Sequence, residues 1–303
     1  MNHDGHDERE PRRGFVVVVL FVVCMCGASA AQRFRASVDV VQVAVTVTNS
    51  NGRLIPGLAK DDFEILEDGI PQRISFFTDQ RVPVSLGVLL DASDSMRGQA
   101  IADARAAVDR FVTTLLEGGD QAFVAAFNHQ PRLIAPWTQP PRTLAGRLDA
   151  LQPFGGTALY DALVASAVLF SSRAHTRAAL IVVSDGVDTA SDLPLRQTLD
   201  VMRRADPLVY AVAIDAPGAM PSRRVNVDAL REVTGASGGY TEVVRGSADL
   251  GPATERIANE LNTQYTLGYV PSRGPDDTWR GIRVRVKDRN YVTRARRGYY
   301  AVR

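Results

Sequence analysis

Cysteine is almost absent: the 303 residues contain two, Cys24 and Cys26, both within the first thirty. Once that leader is removed no thiol remains, which excludes disulfides, thiol catalysis and thiolate metal sites. Histidine is nearly as scarce. His3 and His6 also lie in the leader, so only His129 and His175 remain, too few for a histidine-rich zinc centre. An excess of one charge is lacking as well. Lys and Arg number 35 against 34 Asp and Glu, a net +1, and so nucleic acid is not an expected partner. No G-x-x-x-x-G-K-[ST] string occurs, and no G-x-G-x-x-G follows the first apolar strand after residue 84, so nucleotide binding has no support. Gly235-Ala236-Ser237-Gly238-Gly239 fits G-x-S-x-G, but a helical pattern precedes it, a strand follows, and no histidine lies downstream. That order is the reverse of a nucleophile elbow. No enzymatic activity is expected.

What the chain does have is ordinary globular material, 45% hydrophobic and 23% charged, at a length that suggests about two domains. Residues 1–30 stand apart. Arg12 and Arg13 precede an apolar run over 15–26 and then Ala28-Ser29-Ala30, the parts of a secretory signal peptide. Twelve apolar residues are too few for a bilayer span, which needs about 20. The protein is therefore expected to be exported, periplasmic or secreted, with no membrane span in the mature chain. An uncleaved N-terminal anchor is the alternative. Arg12-Arg13-Gly14-Phe15-Val16 also resembles a twin-arginine signal, which leaves the export route open.

Residues 36–48 alternate, with Val41, Val43, Val45 and Val47 on one face, and predict a strand ending in the turn at 49–52. Short strands follow over 58–77 around Glu67-Asp68-Gly69. From 84 the pattern changes. Apolar strands at 84–90, 121–127, 178–184, 208–214 and 239–243 alternate with helical periods at 101–116, 158–170, 195–204, 227–233 and 249–261. This predicts an α/β fold, a doubly wound, mostly parallel Rossmann-like sheet covered on both faces. Residues 132–135, between prolines, predict an antiparallel edge strand. β character returns at 265–269, 282–287 and 291–295, the last completing a meander. These strands are expected to pack with 36–77 into one small β unit built from both flanks. Arg283, Arg285 and Lys287 alternate along it as a solvated face. The expected organisation is a signal peptide at 1–30, an N-terminal β segment at 31–83, the α/β domain at 84–263 and C-terminal β strands at 264–303.

The strand at 84–90 runs into Asp91-Ala92-Ser93-Asp94-Ser95, at the carboxyl end where open α/β sheets bind ligands. One carboxylate and two hydroxyls on a tight turn suit a hard cation. Taken alone the pattern is weak, because Ser93 or Ser95 could simply cap the next helix. Two further segments strengthen it. Phe154-Gly155-Gly156-Thr157 places Thr157 at a glycine-rich helix start, and the apolar run 179–183 ends in Ser184-Asp185-Gly186, so Asp185 also sits at a strand's carboxyl end. An all-oxygen set of Asp91, Ser93, Ser95, Thr157 and Asp185 favours Mg²⁺ or Mn²⁺, with Ca²⁺ a further candidate. Asp94 is expected in solvent or behind the ligands, and Asp161 and Asp188 in loop hydrogen bonding. His129 reads as a loop residue, and Trp137 as either an exposed rim or core packing.

With those residues in place, 84–261 resembles a von Willebrand factor type A domain with a complete metal-ion-dependent adhesion site. The resemblance implies that Ser93 and Ser95 ligate directly and that Thr157 and the two aspartates ligate directly or through water. It also implies an open coordination position that takes an Asp or Glu carboxylate of a protein partner. Gly57-Leu58-Ala59-Lys60-Asp61-Asp62-Phe63-Glu64, Tyr265-Thr266-Leu267-Gly268-Tyr269 and Arg297-Gly298-Tyr299 resemble a narrower family of VWFA-related proteins known mainly from acidobacteria. The implied function is an exported, metal-dependent adhesion or interaction module. The alternative is a structural or envelope-assembly scaffold with a non-functional metal site. Neither the partner's identity nor the oligomeric state is indicated.

Overall fold

The computed structural model describes residues 40–215 and 226–302; the expected signal peptide and the start of the first expected strand lie outside the described residues. The flanking strands come first: β1 (Val41–Asn49), β2 (Phe63–Glu67), β3 (Ile70–Gln72) and β4 (Ile74–Thr78). The α/β part follows as β5 (Ser85–Asp91), α1 (Gln99–Arg110), β6 (Gln121–Phe127), β7 (Pro131–Thr138), α2 (Leu159–Leu169), β8 (Ala178–Ser184) and α3 (Leu195–Ala205). It ends with β9 (Leu208–Ile214), α4 (Val227–Ser237), β10 (Thr241–Val244) and α5 (Ser247–Thr263). The chain closes with β11 (Tyr265–Tyr269), β12 (Trp279–Val286), β13 (Tyr291–Arg294) and β14 (Gly298–Tyr300). Among the described residues no helix is long and apolar enough to cross a membrane.

The central sheet has the order β10-β9-β8-β5-β6-β7. All its pairings are parallel except β6 with β7. Every residue of β5, β6, β8 and β9 is buried, because helices cover both faces. Leu86, Val88 and Leu90 meet Ile101, Val108, Ile257 and Leu261 from α1 and α5. Leu89, Leu180 and Val182 meet Leu159, Leu163, Leu199 and Leu230 from α2, α3 and α4. A continuous apolar run is what two-sided burial demands, which is why the sequence announces these strands clearly. β7 is longer than the expected 132–135 and carries Pro131 and Pro136, which an edge strand tolerates.

The flanks form two four-stranded antiparallel sheets, β13-β1-β11-β4 and β14-β12-β2-β3, over a shared core that includes Val43, Val45, Phe63, Ile65, Leu267 and Val284. N- and C-terminal strands pair directly, β1 with β11 and β2 with β12. The β2–β3 turn places Asp68 and Gly69 at φ 48° and 84°, as a tight two-residue hairpin requires. The expected closing meander is not formed. Tyr291–Arg294 leaves β12 and pairs with Thr46–Asn49 of β1 in the other sheet, because β1 offers an open edge on the side away from β11. The two strands stay neighbours, and the Thr293 hydroxyl donates to Val284 O of β12 (2.8 Å). Thr46, on the outward face of β1, is buried because it donates to Glu260 of α5 (3.0 Å). Tyr210 and Gln264 join the same network at 2.9–3.1 Å, so the back of the β unit is held on the α/β part.

Candidate metal centre

From β5 the chain proceeds outward to β6 on one side, and β8 returns on the other. The carboxyl ends of β5 and β8 therefore flank a topological switch point, where the loops diverge and leave a crevice. Asp91 is the last residue of β5 and is fully buried. Its Oδ1 accepts the Ser93 backbone N–H (2.9 Å) and its Oδ2 accepts the Ser184 hydroxyl (2.6 Å). Ser184 Oγ in turn accepts the Gly186 N–H (2.9 Å). Burial pushes the Asp91 carboxyl up to about 6; the hydrogen bonds from Ser184 and Ser93 oppose this and the nearby Asp185 charge adds to it. Two neighbouring carboxylates, one of them wholly buried, are an electrostatic deficit that a cation would relieve.

The Ser93 and Ser95 hydroxyls lie 3.0 Å apart, on a 3-10 turn at Asp94–Met96 anchored by the buried Met96. The capping alternative does not hold. Ser93 precedes that turn without a side-chain cap bond, and α1 begins after Gly98, also without one. Instead the two hydroxyls hydrogen-bond to each other, one donating and one accepting, and each oxygen keeps a lone pair for a ligand.

The second loop is stitched to the first by backbone bonds, Phe154 N–H to Ala92 O (2.9 Å) and Asp94 N–H to Gly155 O (3.0 Å). Gly155 sits at φ +76°, and a Cβ there would lie 2.9 Å from His129 Nδ1, so glycine is needed. Thr157 is buried. Its N–H donates to Thr189 Oγ1 (2.9 Å) and its carbonyl accepts from Thr189 and Ala190 (2.8 and 3.0 Å), whereas its hydroxyl has no hydrogen bond among the described residues. In the third loop, Asp185 Oδ1 accepts the Val187 N–H (3.1 Å) and its carbonyl accepts the Asn226 N–H (2.9 Å). Oδ2 has no hydrogen bond among the described residues. Gly186, at φ +77°, would place a Cβ 2.6 Å from Asn226 O.

The five residues singled out in the sequence thus lie on three hydrogen-bonded loops at one edge of the sheet. Among the described residues there is no group of three or more His, Cys, Asp and Glu able to hold a metal, and this set has only two carboxylates. Its chemistry is that of hydroxyls with few full charges, which fits a hard cation that keeps some of its waters. Asp94 is exposed and pairs with Arg97 (2.7 Å). Asp161 accepts the N–H groups of Asp192 and Leu193 (2.9 and 3.1 Å), and Asp188 accepts from Leu159 N–H and Ser191 Oγ (2.8 and 2.6 Å); both serve loop structure. Trp137 packs in the core, edge-on to Phe123 at 4.7 Å with its Nε1 on Leu169 O (2.9 Å). His129 lies in a loop against Phe154 (5.5 Å). Ser237 of the G-x-S-x-G string accepts Val209 N–H and donates to Thr234 O (both 2.8 Å), and Gly238 is a left-handed helix terminus. One participant was missed, Ser184. A lone hydroxyl closing an apolar run over 178–183 was its signal.

Residues 86–187 match the family model described as the von Willebrand factor type A domain, and the chain contains such a domain. Similar solved structures include a von Willebrand factor type A protein from Catenulispora acidiphila (15% identity, 89% of this chain and 75% of that one, TM-score 0.53). An aerotolerance-related membrane protein from Bacteroides fragilis, carrying multiple mutations to serines, is 18% identical over 59% of this chain and 98% of its own (TM-score 0.51). The conserved hypothetical protein BatB from Bacteroides thetaiotaomicron is 19% identical over 59% and 97% (TM-score 0.50). At these identities the likeness is one of fold. No curated protein matches the sequence.

Proposed function

We propose that the von Willebrand factor type A domain of this chain is a divalent-metal-dependent protein-binding module, with Asp91, Ser93, Ser95, Thr157 and Asp185 as the ligand set. The observation that carries this reading is the Ser93 and Ser95 hydroxyls, hydrogen-bonded to each other at 3.0 Å and unused as caps, beside the clamped Asp91. Ser93, Ser95 and Thr157 would ligate directly. Asp91, with both oxygens already accepting hydrogen bonds, is better suited to holding a metal-bound water, and Asp185 presents its Oδ2. Bound there, Mg²⁺ or Mn²⁺ would supply an electrophilic position for an Asp or Glu carboxylate of a partner. The residues hold their geometry through backbone bonds between the loops, so little ordering cost falls on binding. The signal peptide read at residues 1–30 supports a place in the periplasm or outside the cell, and the motifs of both flanks support kinship with the VWFA-related proteins.

The test is capture of envelope proteins by the full chain in Mg²⁺ and in EDTA, with Asp91→Ala as control. Capture that needs Mg²⁺ and Asp91 is expected. Equal capture in EDTA would favour the alternative, a scaffold for envelope assembly whose metal site does not work.

A further inference from the structure

At the other end of the central sheet, beside the amino ends of β8 and β9, lies a cavity of about 300 Å³. Its walls come from β1, the segment before β8, the end of α3 and the C-terminal strands. Arg173, Arg177, Arg203, Arg204 and Arg296 line it against one carboxylate, Asp206. Asp206 is taken by Arg296, and Arg203 pairs with Asp200 (2.8 Å), outside the cavity. The other three arginines have no salt bridge among the described residues. Arg173 donates to Phe170 O and Ala205 O (3.0 and 3.3 Å), and Arg177 to Val82 O (3.1 Å), Leu261 O and Gln264 Oε1 (2.6 Å). Arg204 lies over the Tyr300 ring at 4.0 Å. The carboxylates whose field reaches Arg177, Asp120 and Glu260, are bound to Arg81 and Arg294.

Positive charge without a counterion is costly away from water. Burial lowers Arg173 and Arg177, and burial together with the Arg173 charge pushes Arg296 down to about 10. The Nε atoms of Arg177 and Arg296 are buried with no hydrogen-bond partner, so the lining also has unmet donors. Guanidinium groups bind oxyanions through paired N–H donors, and the volume lies at the lower end of small-molecule sites.

We propose that this cavity binds a small oxyanion bearing two negative charges, a phosphate ester or a dicarboxylate, through Arg173, Arg177 and Arg204. The site is independent of the metal loops, which lie at the opposite ends of the strands.

The experiment measures thermal unfolding of the full chain in inorganic phosphate, in succinate, and in NaCl at matched ionic strength. At a hundredfold excess over Kd, Tm is expected to rise by roughly 5–10 °C over the NaCl control. Arg173→Gln and Arg204→Gln should each weaken binding about tenfold or more, which at the same anion concentration cuts the rise to about half or less. The larger response identifies the anion as phosphate-like or dicarboxylate-like. Arg204 is exposed, so its variant gives a readable result even if Arg173→Gln does not fold. Equal Tm in all three salts would overturn the proposal, and so would an undiminished rise in Arg204→Gln.

Discussion

The two ends of the central sheet are chemical opposites. The carboxyl ends of β5 and β8 carry two acids and three hydroxyls on loops tied by backbone bonds. The amino ends of β8 and β9 border five arginines and one acid. In a parallel sheet all four strands of the core point the same way, so each end collects a different set of loops and can be given its own charge. The first end would attract a cation and the second an anion, across a core that is mainly apolar.

The contrast is broken most forcefully at Gly186. Gly186→Ala places a methyl against Asn226 O at positive φ, which should cost about 3–4 kcal/mol in chemical denaturation. It should abolish the Mg²⁺ response and leave the phosphate response intact; loss of both would mean the ends are not independent. Next is the pH dependence of the metal-free domain. The folded value of Asp91, about 6, lies above its ordinary value of 3.8, so the folded state holds this proton more tightly than the unfolded. The resulting stabilisation is fully present below about pH 3.8 and is lost as pH rises through 6, a change of about 3 kcal/mol from this group. Unfolding in EDTA between pH 4 and 7 reads it, and Asp91→Asn should remove the slope. In Mg²⁺ the trend should flatten, because the cation stabilises the charged form. The smallest effect is expected at Asp94→Asn. Its exposed pair with Arg97 is worth less than about 0.5 kcal/mol, and Mg²⁺ binding should persist, since Asp94 faces solvent.

The same contrast explains what could be read from the sequence. The buried strands were legible because burial on both faces leaves an unbroken apolar run, as in β5 and β8. The candidate metal residues were legible because strand ends and glycine-rich helix starts are local signals: Asp91, Thr157 and Asp185 each follow one. The alternation of Val43, Val45 and Val47 correctly gave the inner face of β1, but Thr46 on its other face was unreadable because its partner, Glu260, lies 214 residues away. β13 was placed in the wrong pairing and β14 was not expected at all, since edge pairing depends on which strand is open in the finished sheet. The arginine cavity left no trace. Its residues come from stretches near 40, 175, 205 and 300, and no spacing connects them.

The most direct test of the central claim is a calorimetric titration of Mn²⁺ into the EDTA-stripped full chain and into Asp91→Asn. The account predicts one saturable site in the wild-type protein and none in Asp91→Asn, with the variant at least as stable as the metal-free parent. Equal binding by both proteins, or no binding by the wild type, would contradict it.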